Sequence, residues 1–423
     1  MIGQDRALAE AVLAVPWIEN GNFALDFTAG FATLASANPM TRRERLMATL
    51  HGETVDRPPV SFYEIGGFQI DPADPDPYNI YNSPDWQALL QLAENHTDLI
   101  RMLSPVRARS IDPTGSASGA RWHEFFREDT RDDGETRLTR TVLEVAGRTL
   151  TQVTKRDRQV NTVWTVEHLL KDAEDVEAYL TLPDEVFAEH IDTTPLEAEE
   201  VALGERGIVM VDTEDPLCAA AALFSMEDYT VLAFTEQALF HRLLEKMAGY
   251  IQARTAEVSR RFPGRLWRIY GPEYASEPYL PPRLFDEYVV RYVAPMIRAI
   301  HDHGGFARVH CHGRLKNILD LIAGMGADGL DPIEPPPQGD MELREVRQRH
   351  GQQLVLFGNL EIADIEMLPT PRFAERVKRA LDEGTAGAGR GFVLLPSASP
   401  YGRKLSALTL RNYETMVELA GAL

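Results

Sequence analysis

Residues 306–313 read FARVHCHG, an apolar run that ends on His310-Cys311-His312-Gly313. In an extended strand the side chains at i and i+2 share a face. His310 and His312 therefore point one way and Cys311 the other. Two imidazoles at that spacing can chelate one Zn²⁺, with Zn–N distances of about 2.0–2.1 Å. A third donor must come from another strand, and Glu273 and Glu334 close the flanking apolar runs. The same pair admits a metal-free reading, with one catalytic His and one His bonded to a neighbouring strand. Other apolar runs end in kind: Tyr63-Glu64, Asp212 with Glu214, Glu273-Tyr274, Asn359 with Glu361, and Ser397. Carboxylates and imidazoles dominate these ends, and Arg and Lys are nearly absent. Glu64, Asp212 and Tyr274 are the expected catalytic groups, with Glu64 or Asp212 as general base. Tyr63, Glu214, Asn359 and Ser397 are expected to line a pocket for a small molecule.

These side chains need a scaffold that gathers strand ends. Eight short runs qualify as strands: 59–64, 98–103, 207–213, 265–273, 306–313, 327–334, 353–359 and 391–397. Helical patterns lie between them at 84–95, 235–262, 282–303, 314–324, 341–350 and 371–383, and Pro295 should kink the third. Parallel strands need crossover helices, so the alternation predicts an α/β fold, a (β/α)8 TIM barrel with its site at the C-terminal strand ends. An open doubly wound sheet is the competing architecture. No GxGxxG follows the first strand, which weakens its dinucleotide-binding version. Residues 105–167 alternate with period two and predict an inserted antiparallel meander; 168–205 look helical and acidic, so the insert spans about 105–205. Residues 1–39 form an N-terminal extension to a unit at 40–423. That unit opens on a helix from MTRRERLMATLHGE, with Thr41 as N-cap.

Composition narrows the partners. The 423 residues carry 43 Lys and Arg against 64 Asp and Glu, a net charge of −21. Phosphate recognition needs clustered cations, so a nucleic-acid partner is disfavoured, as is an anionic membrane surface. The two cysteines, Cys218 and Cys311, stand far apart and outside any CxxC. A disulfide framework and an iron–sulfur cluster are excluded. Cys218 is read as a small buried apolar residue. No apolar run approaches the ~18 residues of a membrane span, and the N-terminus lacks a basic n-region. A cytoplasmic protein is expected.

The segments TRRERLMATLHGETVDRPPVSF, GPEYASEPYLPPRLFDEYV, HCHGRLKNILDLIAGMGADGLDPIEPPPQGD, LFGNLE and FVLLPSASP together resemble the uroporphyrinogen decarboxylase superfamily, from Met40 to the C-terminus. The resemblance implies a TIM barrel and one of two chemistries. One branch decarboxylates uroporphyrinogen without a cofactor. The other moves methyl groups between a corrinoid protein and an acceptor, using zinc. The decarboxylase branch carries an Arg-rich RQAGRY-type segment after the first strand. This chain reads FYEIGGFQID there, with Glu64 and no Arg. The methyltransferase branch holds zinc by His-x-Cys and a second Cys near the last strand. Here His310 matches the first ligand, His312 stands in the Cys position, and Ser397 and Ser399 occupy the last-strand segment. A His/His/Glu set leaves the ion harder, favouring an oxygen or nitrogen substrate or a metal-bound water. The resemblance thus implies a zinc-assisted methyltransferase or demethylase of a small molecule, with a corrinoid carried by a separate protein, in a homodimer. A metal-free decarboxylase or lyase of a small acid is the second expectation. A ligand- or partner-binding barrel without turnover is the third.

Overall fold

The computed structural model describes residues 39–63, 65, 73–105, 121–189 and 191–422. In chain order the strands are β1 (Leu99–Leu103), β2 (Phe126–Asp132), β3 (Thr136–Val145), β4 (Arg148–Asp157), β5 (Val163–Glu167) and β6 (Gly207–Glu214). They continue with β7 (Leu266–Tyr270), β8 (Phe306–His310), β9 (Gly329–Asp331), β10 (Val355–Leu360) and β11 (Phe392–Pro396). Seven of them form one parallel sheet in the order β1-β6-β7-β8-β9-β10-β11, and β2 to β5 form a separate antiparallel sheet. Thus seven of the eight expected runs are strands, in sequential order. The meander exists as its period-two pattern required, except that Trp122–Phe125 of RWHEFF make a helical turn before β2.

The first run, 59–64, forms no extended strand. Pro58 and Pro59 lack the N–H that a ladder needs, and Tyr63 turns the chain out with φ +58°. Val60 still makes a parallel bridge to Leu394. Ser61 N–H donates to Leu394 O at 3.0 Å, and Asp98 N–H, just before β1, donates to Val60 O at 2.7 Å. The segment therefore touches both ends of the sheet order. Asp98, fully buried, fastens it further. It accepts the Val60 N–H at 2.9 Å and binds Arg45 at 2.6 Å and Arg57 at 2.8 Å.

Arg45 comes from the helix Arg42–His51, which starts at Thr41 as expected. Thr41 Oγ1 accepts the Glu44 N–H at 3.1 Å, and Glu44 accepts the Thr41 N–H at 2.8 Å. This capping box satisfies donors that a helix start leaves open. The expected helix 282–303 begins as α, passes through a π segment at Asp286–Val290 and resumes at Arg291–His301, with Pro295 inside. Among the described residues, no helix is long and apolar enough to cross a membrane.

Alternation splits the parallel sheet's side chains into two cores. Ile100, Met102, Ile208, Met210, Leu266, Val355, Phe357, Val393 and Leu395 pack on one face. Their neighbours Val209, Val211, Trp267, Ile269, Val309, Leu356 and Leu394 pack on the other, with the helices. Each such side chain, fully buried, contributes about 1.5–3 kcal/mol. Cys311 belongs to the helix-side core, which leaves its neighbours His310 and His312 on the opposite parity.

Candidate active site

The inner parity of β8 runs Phe306, Arg308, His310. Arg308 and Asp331 of β9 are 1% and 0% exposed. Arg308 Nε donates to Asp331 Oδ1 at 2.6 Å and Nη2 to Oδ2 at 2.5 Å. His310, also buried, places Nδ1 2.8 Å from the same Oδ2. Burial works to raise the Asp331 pKa, but Arg308 and His310 outweigh it and hold the carboxyl far below its usual range. The carboxylate can only accept, so His310 Nδ1 carries the proton. In its neutral form the ring then keeps its lone pair on Nε2.

His312 repeats the device one step further out. Its Nδ1 lies 2.9 Å from Glu334 Oε1, and Glu334 Oε2 accepts the Gly313 N–H at 2.8 Å. Burial would lower the His312 pKa; the hydrogen bond and charge of Glu334 raise it on balance. Glu334 is lowered in turn, burial opposing and His312 prevailing. The two imidazoles stand 4.6 Å apart between centroids, at 89°. Neither Nε2 has a hydrogen-bond partner among the described residues.

A second buried pair flanks the first. Arg268 of β7 donates to Asp212 of β6 through Nε at 2.7 Å and Nη2 at 3.2 Å. Arg268 Nη1 also donates to the Tyr63 hydroxyl. The Tyr63 ring lies 5.9 Å from that of His310, at 26°.

The expected residues fall into three groups. His310, His312, Glu334, Tyr63 and Asp212 converge as described. Glu273, Tyr274 and Glu214 lie at the ends of β6 and β7. There Glu273 accepts the Gly271 N–H at 3.1 Å, and Glu214 pairs at 2.9 Å with Arg254, from the helix Gln237–Arg261. Burial, then the neighbouring Cys218 and Glu273, push the Tyr274 phenol up to about 12. Asn359 and Ser397 sit at the ends of β10 and β11. Glu64 lies outside the described residues. Among the described residues, no three His, Cys, Asp or Glu side chains gather as they would around a metal ion.

Sequence reasoning missed Arg268, Arg308 and Asp331. It took the strand ends to be nearly free of cations, yet two buried guanidiniums stand one inward step below them. For Arg308 a signal existed, its i−2 relation to His310. Asp215, fully buried, was also passed over; burial first, opposed by the Cys218 N–H bond and helped by the nearby Glu273, raises its pKa well above the usual. Glu361 was noted at its strand end and given no role. It is 8% exposed.

Comparison with known proteins bears on the fold and the family. No curated protein matches the chain. Among solved structures, a methyltransferase from Methanosarcina mazei is 15% identical, with a TM-score of 0.56, over 90% of this chain and 98% of that one. A D-psicose 3-epimerase from Clostridium cellulolyticum H10 is 10% identical, with a TM-score of 0.33, over 58% of this chain and 86% of its own. A muconate lactonizing enzyme from Pseudomonas putida is 10% identical, with a TM-score of 0.26, over 70% and 76%. The last two superpose too poorly to bear on the fold, and the first shows a shared fold. The family model for uroporphyrinogen decarboxylase (URO-D) matches residues 154–401, more than half of the chain. The chain belongs to the uroporphyrinogen decarboxylase family.

Proposed function

We propose that the chain is a methyltransferase or demethylase of small molecules, working at the C-terminal ends of the parallel sheet. The architecture is read as an eight-position barrel, with Pro59–Phe62 as the eighth position, because that segment bonds to both β11 and the start of β1. The observation that carries the function is the histidine pair. Each Nδ1 is fixed by a carboxylate, and each Nε2 is left without a protein partner. Metal-ligating histidines use this outer-shell arrangement, because the carboxylate sets the tautomer and raises ligand basicity.

The donor set fits two positions of a zinc site. His310 and His312 would hold the ion through Nε2. Glu273 is the carboxylate proposed for a third position. Glu334, with both oxygens engaged, orients His312 from behind. Bound zinc would supply Lewis acidity toward an oxygen or nitrogen of the substrate. The chain's own residues do the rest. Asp331 and Arg308 hold His310 in place. Arg268 fixes the Tyr63 hydroxyl at the mouth. Asp212, with both oxygens on Arg268, orients that guanidinium, and Glu64 is proposed as the general base. Tyr274, Glu214, Asn359 and Ser397 line the substrate's approach. The methyl partner is proposed to be a corrinoid on a separate protein, and the enzyme to be a cytoplasmic homodimer.

Metal analysis of the purified protein tests this. Stoichiometric zinc is expected, with loss in His310→Ala and His312→Ala, together with loss of methylcobalamin demethylation. A protein without transition metal whose His310→Ala variant keeps its activity would refute it. A metal-free acid–base lyase on a small acid is a second reading. The raised pKa of His312 beside Glu334 favours it, and it requires full activity in the presence of chelator.

A further inference from the structure

Glu361 follows β10 directly, at the rim of the proposed active site. Its Oε2 lies 3.2 Å from Ser397 Oγ. Ser397 is itself fixed, since Oγ accepts the Ile362 N–H at 3.2 Å and its own N–H donates to Leu360 O at 2.7 Å. The serine hydroxyl therefore has its proton to give to Glu361. Glu361 Oε1 is buried and has no hydrogen-bond partner among the described residues. A buried carboxylate with one oxygen unserved is costly, and a carboxylic acid is far less so.

Among the described residues, no Arg or Lys forms an ion pair with Glu361. Glu361 and Asn359 open on a cavity of about 180 Å³ that also reaches Arg376 and Arg379. Arg379 is occupied by Glu342 at 2.5 Å and Glu383 at 2.9 Å, and Arg376 stands 3.5 Å from Asp364. Of the charged groups acting on Glu361, Glu334 and Asp364 disfavour its ionisation and His312 favours it. Burial is the largest influence, Glu334 the next, and together they push the carboxyl up to about 7. No hydrogen bond joins Glu361 to His312 or Glu334 among the described residues.

We propose that Glu361 is a catalytic acid, whose Oε1–H meets the oxygen or nitrogen atom from which a substrate's methyl group departs. This rests on the methyl-transfer reading above. In the step, the CH₃–O or CH₃–N bond breaks and its electron pair stays on the heteroatom. The heteroatom takes the Glu361 proton. The methyl passes to a nucleophilic acceptor, a reduced corrinoid or a thiolate, which supplies the pair for the new bond. Solvent then reprotonates Glu361. Such an acid matters only when the leaving group is basic. The substrate class is accordingly an ether or amine whose leaving group is not stable as a free anion.

The test uses the full chain with free cob(I)alamin and two methyl aryl ethers, 4-methoxyphenol and 4-nitroanisole. Glu361→Gln keeps the shape and the Ser397 contact and removes the transferable proton. The expected result is a roughly 10²–10⁴-fold fall in kcat for 4-methoxyphenol, a much smaller fall for 4-nitroanisole, and unchanged zinc content. The wild-type decline in kcat above about pH 7 should also vanish in the variant. Equal losses for both ethers, or no loss, would overturn the role of Glu361 while leaving methyl transfer intact. Wild-type protein inactive on both ethers would refute the methyl-transfer reading, and this role with it.

Discussion

Replacing Arg308 by Met tests whether the buried ion pair organises the site. Arg308 and Asp331 are 1% and 0% exposed. The guanidinium meets the carboxylate through two bonds of 2.6 and 2.5 Å, with Met210 Sδ 3.9 Å from Nη1 and the Phe357 ring 4.5 Å away. Met fills much of the same volume, so little cavity forms and the cost comes from a buried carboxylate that keeps only its His310 bond. Breaking such a pair from one side costs about 3–5 kcal/mol, a large share of a typical total of about 5–15 kcal/mol. Urea unfolding at pH 7, followed by tryptophan fluorescence, reads it as a lowered midpoint. Arg308→Met with Asp331→Asn should lose much less than the sum of the two single variants, because no charge is then stranded. The pH dependence has a definite sign. The folded-state pKa of Asp331 lies below its unfolded value of about 4. Its contribution is therefore full above about pH 4 and is lost as pH falls below that. The Arg308→Met penalty should shrink over the same acid range. A penalty under about 1 kcal/mol at pH 7, or additive single variants, would refute the reasoning.

Three further outcomes follow from the geometry. Glu361→Gln should be more thermostable than wild type at pH 8, with the gap closing by pH 5. The raised folded pKa of about 7 makes folding favour the protonated acid, and that advantage is lost as pH rises through it; a gap that grows on acidification would contradict this. Gly271→Ala should lower both Tm and activity in thermal melts and methyl-transfer assays. Gly271 has φ +119°, and a Cβ there would stand 2.3 Å from Cys218 Cβ and 2.5 Å from Asp215 Oδ1. Thr41→Ala should cost about 1 kcal/mol by loss of the cap, together with the 2.8 Å bond to Glu205, and should leave kcat unchanged, since Thr41 only caps the helix Arg42–His51 and lies outside the site.

What could be read in the sequence was whatever one strand decides alone. Period two placed His310 and His312 together and Cys311 behind them. Apolar runs and their spacing gave seven strands, in order. Most of the failures concern relations between strands. Arg308 and Arg268 sit within apolar runs, where a cation looks like an interruption. Their partners Asp331 and Asp212 come from adjacent strands, and only the register His310↔Asp331 and Arg268↔Asp212 brings them together. The 59–64 run looked like a strand by composition, but two prolines and the left-handed Tyr63 reduce it to isolated bridges. Glu361 has the same residue type as the half-buried Glu366 five residues on. Its character comes from burial and from Ser397, 36 residues away, which no local pattern encodes.

The pairing of charges also bears on what the site can accept. A highly carboxylated porphyrinogen needs free guanidiniums facing it. The parallel sheet does carry inward arginines, but Asp212 neutralises Arg268 and Asp331 neutralises Arg308, each through two hydrogen bonds. Arg101 of β1 has the opposite parity to Ile100 and Met102 and lies among the helices, bound by Glu94 at 2.7 Å and Glu199 at 2.9 Å. Glu273, Glu334 and Glu361 add negative or neutral acid groups at the ends of β7, β9 and β10. A polyanion entering here would meet like charge in a half-dry cleft, where charges a few ångströms apart repel by about 4 kcal/mol at an effective dielectric of 20. Displacing an aspartate from its arginine would strand a buried carboxylate instead. On the methyl-transfer reading proposed above, a neutral or cationic small molecule would meet neither obstacle.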